Sequence, residues 1–258
     1  MIVEFVGGSG AGKSTLLEAV RQRATGRVIT SAELVMDRPG RRWVTNPKAV
    51  NLVADVTVLP SFLLGPARDR AFVRFAFDRL RRSAPSRFAK VNYLREVVRD
   101  VGKHELAARA AADTIVLVDE GAVLTASHLF VYSTGGLERS ELERFADLVP
   151  LPDRIVYVTA PVPVLVERSM RRPDRRRELA RADRAEVERW SARASEVFDR
   201  LVAAPRFRDR TLIVDTRDDS PAARREAADA VVAFLDGRTP VGGSAEPTVR
   251  AGEAEGER

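Results

Sequence analysis

The sequence predicts a three-layer α/β fold, a five-stranded parallel sheet between helices, and three observations carry that reading. Five short apolar runs are spaced along the chain, the segments between them have helical length and periodicity, and a glycine-rich turn joins the first run to the first helix. Strands separated by so much helix cannot pair as hairpins. They need right-handed crossovers, which make a parallel sheet and cover both of its faces.

The first strand is Ile2 to Val6, ended sharply by the glycines from Gly7 to Gly12. A helix runs from Lys13 to about Ala24 through Leu16, Leu17 and Val20, and a second strand covers Arg27 to Thr30. Residues 31 to 48 read as a loop, with a turn at Asp37-Arg38-Pro39-Gly40 and a helix start at Asn46-Pro47. Three helices follow, at about 48–58, Ala67 to Arg82 and about Phe88 to Ala112, the last with a break expected near Gly102. In the second, Phe72, Phe75, Phe77 and Leu80 alternate with arginines. The remaining strands are Thr114 to Asp119, Arg154 to Thr159 and Thr211 to Asp215, with helical stretches near 161–171, 183–203 and 221–235. After Gly237 the chain reads TPVGGSAEPTVRAGEAEGER, which predicts a disordered tail. The organisation is thus one domain over residues 1–237, with a helical insert at about 47–113, an arginine-rich lid at about 167–182 and a tail at 238–258.

At 258 residues, with 45% hydrophobic and 31% charged, the chain can bury a core as a single domain, which excludes collagen-like, disulfide-stapled and disordered classes. It has two histidines and no cysteine, so Cys/His zinc, iron–sulfur clusters and thiol nucleophiles are excluded too. The absence of a bilayer-length apolar run and of a secretion signal in MIVEFVGG points to a cytoplasmic protein with no membrane partner. Lysine stands only at 13, 48, 90 and 103, so 39 of the 43 basic residues are arginines. GC-rich coding explains most of that excess; a phosphate-handling surface is the sharper reading, since guanidinium forks match phosphate oxygens. Nucleic acid is disfavoured because acids are interspersed and aromatics are only 6%. A homodimer is compatible with this composition.

Gly7-Gly8-Ser9-Gly10-Ala11-Gly12-Lys13-Ser14 fits G-x-x-x-x-G-K-[ST] after a predicted strand and at the start of a predicted helix. Glycines let backbone N–H groups and the helix amino terminus wrap a phosphate. Lys13 is expected to reach the β- and γ-phosphates, Ser14 to bind Mg²⁺, and Thr15 to support the helix start. Asp119, ending the third strand, is the candidate carboxylate for Mg²⁺, and Glu120 beside it the group that aligns or deprotonates the attacking atom. Neither an LSGGQ signature nor a clear guanine-reading NKxD is present; Thr216-Arg217-Asp218-Asp219 is a loose shadow of the latter, so ATP is preferred. The stretch ERSMRRPDRRR carries Arg171, Arg172, Arg175, Arg176 and Arg177 and predicts a flap that closes over the triphosphate and spreads transition-state charge.

GGSGAGKST after VEF is similar to the FEG-x-DGAGKST opening of thymidylate kinases, and FAFDRLRR (Phe75 to Arg82) resembles their LLFAADR helix. The Asp37 to Gly40 turn, IVYVTAPVPVLVERSMRR and IVDTRDDSPAARREAADAVVAFL resemble further stretches of that family in order, over about residues 1 to 237. The resemblance implies a P-loop nucleoside or nucleotide kinase fold with sheet order 2-3-1-4-5, ATP and Mg²⁺. It implies that Arg79, with Asp78 beside it and Arg82 on the same helix, contacts the acceptor, and that Asp37 or Arg38 sits between acceptor and γ-phosphate. Asp119-Glu120-Gly121 departs from the family's Asp-Arg-aromatic, and AVLTASHLFVYSTGG lacks its Tyr-Gln pair, so a neutral hydroxyl acceptor becomes plausible. His128 reads as a satisfied helix residue, Trp43 and Trp190 as packing residues and His104 as surface. Two functions remain open: a kinase for a nucleotide, nucleoside or other small hydroxyl compound, and an ATP-driven switch for a protein partner.

Overall fold

In the computed structural model, residues 1–36, 47–83, 86–172 and 182–237 are described, with the backbone alone for 47–52. The tail at 238–258 lies outside them. The five apolar runs form β1 (Ile2–Val6), β2 (Val28–Thr30), β3 (Ile115–Val118), β4 (Arg154–Thr159) and β5 (Thr211–Asp215). They make one all-parallel sheet in the order β2-β3-β1-β4-β5, the P-loop kinase arrangement that the resemblance implies.

Period two decides which helices cover which face. Val3, Phe5, Val156 and Val158 point to a core shared with α1 (Lys13–Arg21), α7 (Val162–Arg171) and α10 (Pro221–Leu235). Val6, Ile155 and Tyr157 point to the opposite core, built with α4 (Ala67–Ser83), α5 (Arg87–Ala110), α6 (Arg139–Leu148), α8 (Arg184–Ala203) and α9 (Pro205–Arg208). Phe72, Phe130, Phe145 and Phe198 are fully buried there, each contributing roughly 1.5–3 kcal/mol of apolar burial. The helices α3 (Pro47–Leu63), α4 and α5 all lie between β2 and β3, and α3 packs along α5.

Three local expectations are corrected. The segment after β2 begins with α2 (Ser31–Met36), not a loop, because Thr30 and Glu33 cap each other: Thr30 N–H donates to Glu33 Oε2 (2.8 Å), and Glu33 N–H to Thr30 Oγ1 (3.2 Å). Helix α5 runs unbroken through Gly102, where a Cβ would stand 2.7 Å from the Val58 carbonyl oxygen of α3; the glycine permits a close helix crossing. His104 is half-buried, and burial lowers its pKa to about 4, so it is not a surface group. The segment between β3 and β4 contains a 3₁₀ turn at Val123–Thr125, a π-helical turn at Ser127–Val131 and α6, none of which the apolar pattern announces. Among the described residues no helix is long and apolar enough to cross a membrane.

Candidate functional site: two cavities that meet at Glu120

The turn after β1 demands glycine for steric reasons. At Gly7 φ is +138°, and a Cβ would lie 2.1 Å from the Val158 carbonyl oxygen; at Gly10 φ is +79°, and a Cβ would lie 2.5 Å from the Leu165 carbonyl oxygen. The loop therefore fits between β4 and α7 only without side chains, and it delivers the chain to Gly12, the left-handed residue that opens α1. Lys13 Nζ donates to the Gly7 and Gly8 carbonyl oxygens, both at 2.9 Å, which holds the ammonium over the loop. Ser14 Oγ donates to Asp119 Oδ2 at 2.8 Å, which brings together the two residues that the sequence assigns to Mg²⁺.

These groups line a cleft of about 440 Å³ together with Ser9, Thr15, Glu120 and, from the far side, Arg168, Arg172 and the loop after β5. The cleft's chemistry fits a triphosphate and Mg²⁺: a lysine and two arginines face a hydroxyl–carboxylate pair, and the buried Ser9 Oγ has no hydrogen-bond partner. Among the lid arginines, Arg172 lines the cleft, whereas Arg171 is exposed and pairs with Glu167 at 2.8 Å. Arg168, which the sequence reading missed, donates to the Thr216 carbonyl oxygen (2.8 Å), while Thr216 Oγ1 donates to the Ala11 carbonyl oxygen (2.9 Å). One turn before Arg172 on α7, it was findable as the i, i+4 partner on the same face. Asp37, Arg38, Arg175 and Arg176 lie outside the described residues, as does Trp43.

A second cavity, about 670 Å³, opens on the other side of Glu120, which borders both. Its walls come from α5, the turn at 124–134 and the start of α8, and they combine the rings of Phe88, Tyr93, His128, Tyr132 and Trp190 with polar groups. His128 stacks on Tyr93, with centroids 4.8 Å apart, and its Nε2 lies 2.9 Å from Glu96 Oε2. Trp190 meets Tyr132 edge-on at 5.5 Å. Beneath Glu120, Lys103 donates to Asp100 Oδ1 (2.8 Å) and to the Glu120 carbonyl oxygen (3.3 Å), and burial raises the Asp100 carboxyl. Glu4 on β1 lies under the same loop: its carboxyl oxygens accept from Leu124 N–H (2.9 Å) and Val123 N–H (3.3 Å), and burial raises its pKa to about 8.

With this geometry in place, the known proteins can be set beside it. The family described as AAA domain matches residues 2–197, most of the chain. This chain belongs to that family. No curated protein matches its sequence. Among solved structures, a shikimate kinase from Bacteroides thetaiotaomicron is similar over 92% of this chain and 98% of its own, at 12% identity and TM-score 0.45. Two structures of deoxyadenosine kinase from M. mycoides are similar over 92% of this chain at TM-score 0.47. One has products dCMP and a flexible dCDP bound (11% identity, all of that chain covered), the other bound dATP (12% identity, 99% covered).

In this AAA-domain chain the arginines proposed for an acceptor phosphate are engaged elsewhere. Arg79 is buried against Phe130, ion-pairs with Glu141 through Nη1, and donates to the Leu129 (3.3 Å) and Gly136 (2.9 Å) carbonyl oxygens. Arg82 takes the other Glu141 oxygen at 2.7 Å, and Asp78 lines a surface depression between α4 and α6. None of the three lines the second cavity. The signal was present in the sequence: Phe72, Phe75, Ala76, Arg79 and Leu80 share one buried face of α4, so Arg79 sits where a core residue belongs.

Proposed function

We propose that the protein is an ATP- and Mg²⁺-dependent phosphotransferase that moves the γ-phosphoryl to a hydroxyl of a small, unphosphorylated acceptor in the second cavity. The observation that carries this reading is Glu120, a carboxylate residue common to the phosphate-loop cleft and to a cavity of acceptor size. Ser14 and Asp119 would hold Mg²⁺, and Lys13, Arg168 and Arg172 would surround a bound triphosphate. When bound, ATP with its metal supplies an electrophilic phosphoryl group. Lys13 and Arg172 would stabilise the charge that spreads over it, and we assign Arg175 and Arg176 of the same arginine-rich stretch to that task as well. Glu120 would orient the acceptor hydroxyl and take its proton, and Asp37 or Arg38 is assigned to assist there by the family resemblance alone. Adenine is preferred to guanine because the chain carries no clear guanine-reading NKxD.

Transfer of labelled γ-phosphate to a panel of nucleosides, sugars and aromatic alcohols tests the proposal, with Lys13→Ala as the control for the site. Expected are acceptor-dependent loss of ATP and at least a hundredfold drop in the variant. Slow hydrolysis indifferent to every acceptor would instead favour the switch. The apolar residues Val56, Leu59, Leu63 and Leu64 exposed on α3 and just beyond it give that second reading its footing.

A further inference from the structure

Asn92 Nδ2, His128 Nδ1 and Ser133 Oγ, all in residues that line the second cavity, are buried side-chain atoms with no hydrogen-bond partner. His128 is only 8% exposed, and a buried polar atom is normally paired. The partner of its other nitrogen fixes what Nδ1 is. With Glu96 Oε2 2.9 Å from Nε2, Nε2 is the nitrogen that donates, so in the neutral ring Nδ1 carries a lone pair and accepts. The stack on Tyr93 and the π-helical turn at Ser127–Val131 hold the ring in that orientation. The cavity thus presents one acceptor at His128, one donor at Asn92 and a hydroxyl at Ser133, which can be either.

Charge points the same way. Glu96, Glu120 and Glu186 line the cavity against Arg99, which already stands 3.7 Å from Asp55 and 4.0 Å from Glu96, while Asp100, its carboxyl raised by burial, is paired with Lys103. An anion would meet a net negative wall. Flat rings are matched by Tyr93, Tyr132 and Trp190.

We infer that this cavity recognises an uncharged ring compound whose ring offers an N–H donor to His128 Nδ1 and further polar groups to Asn92 and Ser133. This rests on the reading of the cavity as the acceptor site and adds the acceptor's chemical class. His128 is a specificity-determining residue, and Glu96 positions it by setting its tautomer.

The experiment uses full-length protein with ¹⁵N-labelled histidine, His104 and His128 being told apart by His128→Asn. The probes are thymidine and 3-methylthymidine, deoxyadenosine and its N6,N6-dimethyl analogue, and thymidine monophosphate. The expected free state has Nε2 protonated and Nδ1 bare. A donor-bearing nucleoside should shift the Nδ1 resonance, its methylated counterpart should not, the monophosphate should bind at least tenfold more weakly, and His128→Asn should raise the nucleoside Kd at least tenfold. A proton on Nδ1 in the free protein, no shift with any probe, or equal binding of methylated and unmethylated forms would overturn the inference. Phosphate transfer to the same probes is scored separately. Transfer without an Nδ1 response overturns this inference and keeps the kinase reading, whereas an Nδ1 response without transfer supports this inference and counts against the kinase.

Discussion

Glu4 should make the fold sensitive to alkali in a way that one substitution removes. Burial raises its pKa from 4.5 to about 8, so at neutral pH the folded chain holds a proton that the unfolded chain has lost. Between those values the native state binds more protons, and stability therefore falls as pH rises, by about 1.4 kcal/mol per pH unit at most. Above pH 8 the accumulated penalty is about 5 kcal/mol, an upper bound for a fully buried carboxyl. Glu4→Gln removes the titration but weakens one of the two bonds to Val123 and Leu124 N–H, at a cost of about 1 kcal/mol. The variant should thus be slightly less stable than the parent at pH 5 and more stable at pH 9. Urea unfolding at pH 5, 7 and 9 measures this, and the parent-minus-variant difference isolates Glu4 from Asp69, which burial also raises, to about 7. Parallel pH profiles for the two proteins would refute the reasoning.

Three further outcomes are expected. Glu141→Ala leaves the buried Arg79 guanidinium without its counter-charge and should cost about 3–5 kcal/mol by denaturant unfolding, with the affinity for ATP unchanged. Gly7→Ala drives a Cβ into the Val158 carbonyl and should abolish folding or ATP binding, whereas Gly12→Ala meets nothing within 4 Å and should cost only the left-handed strain, about 1–2 kcal/mol; thermal melts of both separate the two causes. Arg168→Ala should raise the KM for ATP about tenfold, and Arg171→Ala, exposed and paired with Glu167, should leave it unchanged in steady-state kinetics.

The nucleotide half of the site was legible in the sequence because its constraints are local. Glycine at positions 7, 10 and 12, a lysine and a hydroxyl are consecutive, and Asp119 follows a run apolar enough to be a central strand. The sheet was legible for the same reason, since buried parallel strands are continuous apolar runs. The second cavity was not, because its polar residues are brought together by tertiary packing of α5 on the turn at 124–134. His128 reads as an ordinary apolar-flanked histidine until Glu96 and Tyr93, 32 and 35 positions away, are placed beside it. Arg79 carries a motif resemblance but sits on the buried face of α4, and α2 is set by the Thr30–Glu33 capping pair, a signal that the turn residues just after it mask.

The way α5 faces the second cavity has a consequence for how this fold can be retargeted. Asn92, Glu96, Arg99 and Asp100, with Tyr93 between them, lie at spacings of three and four along one stripe of a single straight helix, while the phosphate-loop cleft draws on other elements altogether. Because Gly102 anchors that helix against α3 at backbone distance, the stripe behaves as a fixed rack on which side chains can be exchanged without shifting the frame. A small library confined to positions 92, 96 and 99 therefore varies the second cavity while leaving the lining of the phosphate-loop cleft untouched.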